Sequence, residues 1–278
     1  MHDAVSLLDA IACLAREAGR RVMAVYATDF AVQGKPDASP VTLVDRQAEA
    51  VIVAGLRALT PDVPIVAEEA MAAGDAPMLA VGGRFWLVDP LDGTREFVAR
   101  NGEFTINIAL IEQGLPVLGV VLAPAVGGPG GAPTPASWTR GGWLEDATGR
   151  KAIQCRAVPA EGVTVLASRT HGNAAALDAF LHRYLAGCAP ARIGNSGSSL
   201  KLCMLASGQA DLYPHLGRTM EWDIAAGHAV LAAAGGCVCR AKDGQPLTYG
   251  KPGFENPHFV AAGLDRGWSK AEPGCRVS

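Results

Sequence analysis

The stretch 86-WLVDPLDGTREF-97 constrains this chain more than any other. An apolar run ends in Asp89, Pro90 stiffens the exit, and a second acid, Asp92, is followed at once by Gly93 and Thr94. A buried strand that stops on carboxylates and turns into a helix is the pattern this predicts, with both acids drawn to one side of the turn. Magnesium favours a few carboxylate oxygens in octahedral geometry and keeps positions open for water and phosphate. The free N–H groups of a helix opening at Gly93 and Thr94 suit a phosphate. Read alone, the D-x-x-D-G-T spacing serves a helix cap as well as it serves a metal.

Other carboxylates decide between these readings. Glu68 and Glu69 close the run "DVPIVAEEA", Asp45 follows "SPVTLV", and Asp223 follows Trp222 at the start of a late helix. Each stands at the end of an element beside apolar residues, where an unpartnered charge is costly. Two rival motifs fail on spacing. An EF-hand loop beginning at Asp89 would meet Leu91, Gly93 and Arg100 at ligand positions, and an aspartyl nucleophile would sit in D-x-D-G-T with one residue between the acids.

The 278 residues are 49% hydrophobic and 18% charged with net charge −3, a composition that argues against disorder and against a general nucleic-acid or anionic-membrane surface. A small anionic partner needs only a local cluster of cations. The seven cysteines include no C-x-x-C pair, which predicts a reduced, cytoplasmic chain whose thiols are core residues. The opening segment carries Asp3 and Asp9 early, Arg16, Arg20 and Arg21 late, and an apolar stripe between, so it reads as an amphipathic helix rather than a signal peptide. The run "IAAGHAVLAAAGGCVC" falls short of the ~20 residues a membrane span needs.

Along the chain, the first helix is followed by a loop, a helix from about Asp45 to Leu59, and strands in "DVPIVAEEA", "GRFWLVDP", "FTINIALI" and "PVLGVVLAP". The Gly- and Pro-rich stretch from Pro124 to Gly142 predicts a surface loop or hairpin excursion and carries no phosphate-loop signature. Beyond about residue 150 strand and helix alternate, with helices over about Ala174 to Leu185, "SSLKLCMLASG" and "WDIAAGHAVLAAAGG" and strands in "GVTVLAS" and "ADLYP".

Taken together, "KPDASPVTLVDRQAE", "AEE", "WLVDPLDGTREFVARNGEFTINIALI", "SGSSLKLCMLASGQADLYP" and "EWDIAAGHAVLAAAGG" resemble the inositol monophosphatase superfamily. The continuation after D-G-T and the "GSSLK" turn are closer to its CysQ-type 3′(2′),5′-bisphosphate nucleotidases than to its inositol monophosphatases. The resemblance implies an α/β/α/β/α sugar-phosphatase fold, with residues 1–150 an α+β half carrying most metal ligands and 151–278 an α/β half carrying Asp223 and the recognition residues. It implies two or three Mg²⁺ held by Glu68, Asp89, the Leu91 carbonyl, Asp92 and Asp223. By the same resemblance Thr94, oriented by Asp45, acts on a metal-activated water that attacks phosphorus in line, Gly93 and Asp223 also face the substrate, and the substrate is 3′-phosphoadenosine 5′-phosphate, with its 5′-phosphosulfate relative a further candidate. Ser198, Ser199 and Lys201, with His171 in "SRTHG", are expected to hold the second phosphate or the nucleoside.

One departure stands out: His215 occupies the place where relatives commonly carry arginine in Y-P-R, and Arg218 is the nearby cation expected to replace it. Lys35 and Arg95 are further phosphate candidates, with a solvated cation the plainer reading of each. The alternatives are an inositol or sugar monophosphatase of broad specificity and a catalytically silent metal-binding regulator. The second would expect a lost ligand, and none is lost from this sequence.

Overall fold

The computed structural model describes residues 4–28, 40–126, 134–138, 141–146, 149–168, 174–185 and 192–264. Helices α1 (Ala4–Tyr26) and α2 (Pro40–Leu59) come first. Helix α2 starts earlier than the expected Asp45, because Pro40 can open a first turn where no backbone N–H is needed, and Val44, Ala48, Ile52 and Leu56 already repeat at the helical spacing on a buried face. Asp45 therefore lies in the second turn rather than at the start.

The chain then builds a seven-stranded sheet in sequence order from β1 (Ile65–Ala67), β2 (Arg84–Asp92), β3 (Thr105–Glu112), β4 (Leu115–Leu122), β5 (Thr134–Trp138), β6 (Gly141–Asp146) and β7 (Gly149–Ala152). Only the β1–β2 pair is parallel. The Gly/Pro-rich excursion thus supplies two paired strands, and its residues 127–133 and 139–140 lie outside the described residues. Short helices α3 (Glu68–Ala72) and α4 (Thr94–Val98) follow β1 and β2.

A five-stranded sheet, ordered β11-β12-β10-β8-β9, comes from β8 (Thr164–Ser168), β9 (Arg192–Ser196), β10 (Leu212–His215), β11 (Cys237–Arg240) and β12 (Phe259–Ala262), with helices α5 (Ala174–Tyr184), α6 (Leu200–Ala206) and α7 (Glu221–Ala233) between them.

Side-chain alternation stacks these parts into layers, since successive strand residues face opposite sides. Trp86, Val88, Ile106, Ile108 and Leu110 pack on α1 and α2, while Phe85, Leu87, Ala109 and Ile111 face α6 and α7. Tyr213, Val238, Phe259 and Ala261 close that central core from the second sheet, whose other face packs Val165, Leu212 and Val260 on Phe180 of α5. The order is α/β/α/β/α, as the resemblance implies. Helix α7 is apolar all round because it is buried between two sheets. Its approach to β4 needs Gly119, where an added Cβ would lie 2.6 Å from the Ala226 carbonyl oxygen. Among the described residues no helix is long and apolar enough to cross a membrane.

Candidate active site

Strand β2 does not end at Asp89 but runs on to Asp92, and this extension explains how two acids of odd separation reach one face. Asp89 pairs with Asn107 and Asp92 with Thr105, so β2 spends three steps where β3 takes two. The extra residue is a bulge, which reverses the alternation and turns Asp92 to the same side as Asp89. Pro90, which has no N–H to donate, sits within it. The Leu91 N–H donates to Asp89 Oδ1 at 3.0 Å, and Gly93 then takes a left-handed φ of 92° to start α4.

The other acids arrive on helix starts. Glu68 opens α3 directly after β1, within hydrogen-bonding reach of Asp89. Buried Glu49 on α2 holds that helix by accepting from the N–H groups of Glu69 at 2.8 Å and Ala70 at 3.0 Å. Asp223 sits in the first turn of α7 and its Oδ2 accepts from the Met220 N–H at 2.8 Å. Two residues before it, fully buried Glu221 accepts from the N–H groups of Gly250 and Lys251.

Glu68, Asp89, Asp92, Asp223 and Leu91 line one cleft of about 300 Å³, together with Gly93, Thr94 and Arg95. Asp45 is buried behind it and Thr94 is exposed at its rim, and no hydrogen bond joins the two. The expected orientation of Thr94 by Asp45 is therefore not made in this state; contacts of this kind tighten with substrate in place.

The electrostatics are those of acids short of positive charge. Burial, followed by repulsion from Glu68, Asp92 and Asp223, pushes the Asp89 carboxyl well above its ordinary range. Burial is the leading cause for Glu68, raised to about 7, for Asp92, raised to about 6, and for Asp45, raised to about 8. Asp223 is raised well above its ordinary value by burial and then by Asp92. Like-charged oxygens gathered in a sheltered cleft need either protons or a cation. Hard oxygen donors of this kind fit Mg²⁺. Among the described residues no three acidic, histidine or cysteine side chains close around one point as a finished metal cage would. Mg²⁺ commonly keeps waters and substrate oxygens among its ligands and needs only a few protein carboxylates.

The opposite wall is the turn before α6. Its Ser199 N–H donates to Asp92 Oδ2 at 2.6 Å. The Ser199 hydroxyl bonds Asn107 at 2.7 Å and Thr105 at 2.8 Å, and buried Lys201 donates to the Ser196 and Ser198 carbonyls at 3.1 and 2.6 Å. Lys201 also lies near enough to Asp92 to pull its pKa down. Ser198, Ser199 and Lys201 all line the cleft, with the hydroxyl and ammonium groups of the last two engaged inward.

His215 is buried on β10, bonded through Nδ1 to the Tyr213 hydroxyl at 2.8 Å and stacked on Phe259, and it too lines the cleft. Arg218 reaches the rim with its side chain 72% exposed and its Nε on Glu255 at 3.1 Å. His171 and Lys35 lie outside the described residues.

Sequence reasoning gave no role to Glu49, Glu96, Thr105 or Asn107, all buried near the cluster. Their signal was present: a polar side chain on the inner stripe of a strand or helix, as in F-T-I-N-I, marks a position where burial demands a partner. Arg100, Asn101 and Glu103 hold backbone groups. Arg100 bonds the Tyr26 carbonyl at 2.5 Å and that of Thr28, Asn101 Oδ1 accepts from the Glu103 N–H at 2.9 Å, and Glu103 Oε2 accepts from the Gly197 N–H at 2.8 Å.

Known proteins bear on this geometry. The inositol monophosphatase family model matches residues 3–268. The 3′(2′),5′-bisphosphate nucleotidase CysQ of Escherichia coli O157:H7 is 46% identical over 260 residues, 91% of this chain and 98% of that protein. Among solved structures, CysQ from Bacteroides thetaiotaomicron, described as a bacterial member of the inositol monophosphatase family, superposes with a TM-score of 0.80 at 30% identity, covering 94% of this chain and 98% of that one. Mycobacterium tuberculosis SuhB gives a TM-score of 0.69 at 26% identity, covering 92% and 90%.

Proposed function

The chain belongs to the inositol monophosphatase family, and from that premise we propose that it is a Mg²⁺-dependent 3′(2′),5′-bisphosphate nucleotidase, removing the 3′-phosphate of 3′-phosphoadenosine 5′-phosphate, and of its 5′-phosphosulfate relative, to leave the 5′-nucleotide and phosphate. The observation that carries this reading is the meeting of Glu68, Asp89, Asp92 and Asp223 at one cleft whose far wall is the 198–201 turn.

In this reading Glu68, Asp89, the Leu91 carbonyl, Asp92 and Asp223 would hold two or three Mg²⁺. When bound, the ions neutralise phosphate charge and lower the pKa of the attacking water. The chain's own contribution is orientation. The amides opening α4 at Gly93 and Thr94 face the phosphate, Thr94 with Asp45 aligns the water and receives its proton, and the water oxygen bonds phosphorus as the ester bond to the sugar breaks. The departing sugar oxygen takes up a proton from solvent, and because the water attacks phosphorus directly no covalent enzyme intermediate is needed. Ser198, Lys201 and Arg218 supply polarity for the second phosphate, with His171 on the nucleoside side. The division into a metal-bearing half, residues 1–150, and a recognition half, 151–278, is supported by the metal ligands other than Asp223 preceding the second sheet. A cytoplasmic setting is supported by the free thiols of Cys13, Cys155 and Cys203.

A substrate panel with Mg²⁺ tests the proposal. At least tenfold higher kcat/KM on 3′-phosphoadenosine 5′-phosphate than on inositol 1-phosphate or 3′-AMP is expected, because a monophosphate forgoes the charge-assisted contact that the second phosphate makes. Equal efficiency on inositol 1-phosphate would transfer the assignment to a broad monophosphatase.

A further inference from the structure

The inner face of β3 should be apolar where it meets the central layer, yet it begins with Thr105 and Asn107, both 0% exposed. Their hydrogen bonds have one self-consistent direction. The Ser199 hydroxyl has a single proton and gives it to Asn107 Oδ1 at 2.7 Å, so Thr105 Oγ1 donates to Ser199 Oγ at 2.8 Å. With its carbonyl on Ser199, the Asn107 amide turns its NH₂ toward Asp92 Oδ2, 3.5 Å away. The reverse amide orientation would set a carbonyl against a carboxylate. Ser199 is thus pinned at its hydroxyl by β3, and its backbone N–H, 2.6 Å from Asp92 Oδ2, is aimed by that pin.

The donors that remain for Asp92, the Ser199 N–H and the Asn107 NH₂, both reach Oδ2; among the described residues Oδ1 receives none. We infer that Asn107, directly, and Thr105, through Ser199, are positioning residues that hold Oδ2 of Asp92, so that the carboxylate offers Mg²⁺ a single oxygen. The inference rests on the metal reading given above. A carboxylate limited to one oxygen suits the small octahedral ion, whereas Ca²⁺ readily takes both oxygens of a carboxylate and tolerates looser geometry. Releasing Oδ2 lets Asp92 rotate, and the cleft loses its preference for the smaller ion.

The test is calorimetric titration of the intact chain with MgCl₂ and with CaCl₂, without substrate, on wild type, Thr105→Val, Asn107→Leu and Thr105→Ser. Thr105→Val and Asn107→Leu are expected to lose about tenfold or more in Mg²⁺ affinity, with a smaller loss for Ca²⁺, while Thr105→Ser, which keeps the hydroxyl, retains the wild-type ratio. A residue that merely tied the layers together would lower stability and leave the Mg²⁺/Ca²⁺ ratio alone. An unchanged ratio in folded Thr105→Val overturns the inference even if Asn107→Leu does not fold, because valine is close to isosteric with threonine. Wild type that binds no Mg²⁺ overturns the metal reading and this inference together. Wild type that binds Mg²⁺ but leaves the bisphosphate intact overturns only the substrate assignment, and the titrations still decide the role of Thr105 and Asn107.

Discussion

Lys251 reaches Glu221 across 2.6 Å, and the carboxylate it meets is completely buried at the first residue of the helix that carries Asp223. The same ammonium donates to Asn256 Oδ1 at 3.2 Å, and Asn256 Nδ2 donates to the Met220 carbonyl at 2.8 Å. Lys251→Met leaves a buried charge with only its backbone donors. Removing one partner of such a pair typically costs 3–5 kcal/mol; the amides of Gly250 and Lys251 keep part of the compensation, so a loss of roughly 2–4 kcal/mol is expected. Denaturant unfolding measures it. Weaker Mg²⁺ binding should accompany it, because the start of α7 loses its clamp.

Gly197→Ala tests the packing between the turn and the D-G-T loop. A Cβ there would lie 2.6 Å from Glu96 Cγ and 2.7 Å from the Glu103 carbonyl oxygen. Backbone cannot yield as a flexible side chain can, so the turn itself must shift, at a cost of about 1–3 kcal/mol. The Ser199 N–H then leaves Asp92. A fall in kcat larger than the fall in melting temperature of a few degrees would explain is the expected outcome, and wild-type kcat would count against it.

These relationships mark how far the sequence was legible. Asp89 and Asp92 stood out at the end of an apolar strand, but only the further acids Asp45, Glu68 and Asp223 separated a metal site from a helix cap, and the layered arrangement came from the family resemblance rather than from periodicity. Strand β9 went unseen because R-I-G-N-S is mostly exposed and lacks alternation, and β11 and β12 because four residues carry too little pattern. The role of Ser199 and Lys201 in holding the second phosphate or the nucleoside was taken from the family resemblance. Their inward bonds depend on β3 lying beside the turn, a contact spanning 92 and 94 residues of chain that no local pattern encodes.

His228 makes stability depend on pH independently of the cleft. Its Nδ1 meets the Tyr249 hydroxyl at 2.9 Å, and burial lowers its pKa from 6.5 to about 4. Between those values the unfolded chain binds the proton and the folded chain does not, so stability falls as pH drops through 6.5 toward 4 and levels off below. The shift corresponds to about 3 kcal/mol. His228→Gln should lose this term, leaving a difference between the two proteins' unfolding free energies that varies with pH only in that window. A difference constant from pH 7 to 4 would show that His228 is not the source.

Arg218 and Glu255 give the last prediction. Both side chains are largely exposed, 72% and 54%, so their bond contributes at most about 1 kcal/mol and a stronger anion can replace the carboxylate. Arg218 is also close enough to Asp223 to lower its pKa, which sets it at the solvent-facing edge of the acidic cluster. If it takes the part of the arginine that His215 displaces, Glu255 competes with the second phosphate for it. Glu255→Gln should then lower KM for 3′-phosphoadenosine 5′-phosphate about two- to fivefold, within the range set by a surface pair, and leave KM for 3′-AMP unchanged. Arg218→Ala should raise KM for the bisphosphate by about tenfold, the worth of one charge-assisted contact, again sparing 3′-AMP. In the double variant the Glu255 effect should vanish, since its only route is through the guanidinium. Equal changes on both substrates would mean that the pair acts through Asp223, and silence on both would leave recognition of the second phosphate to the 198–201 turn.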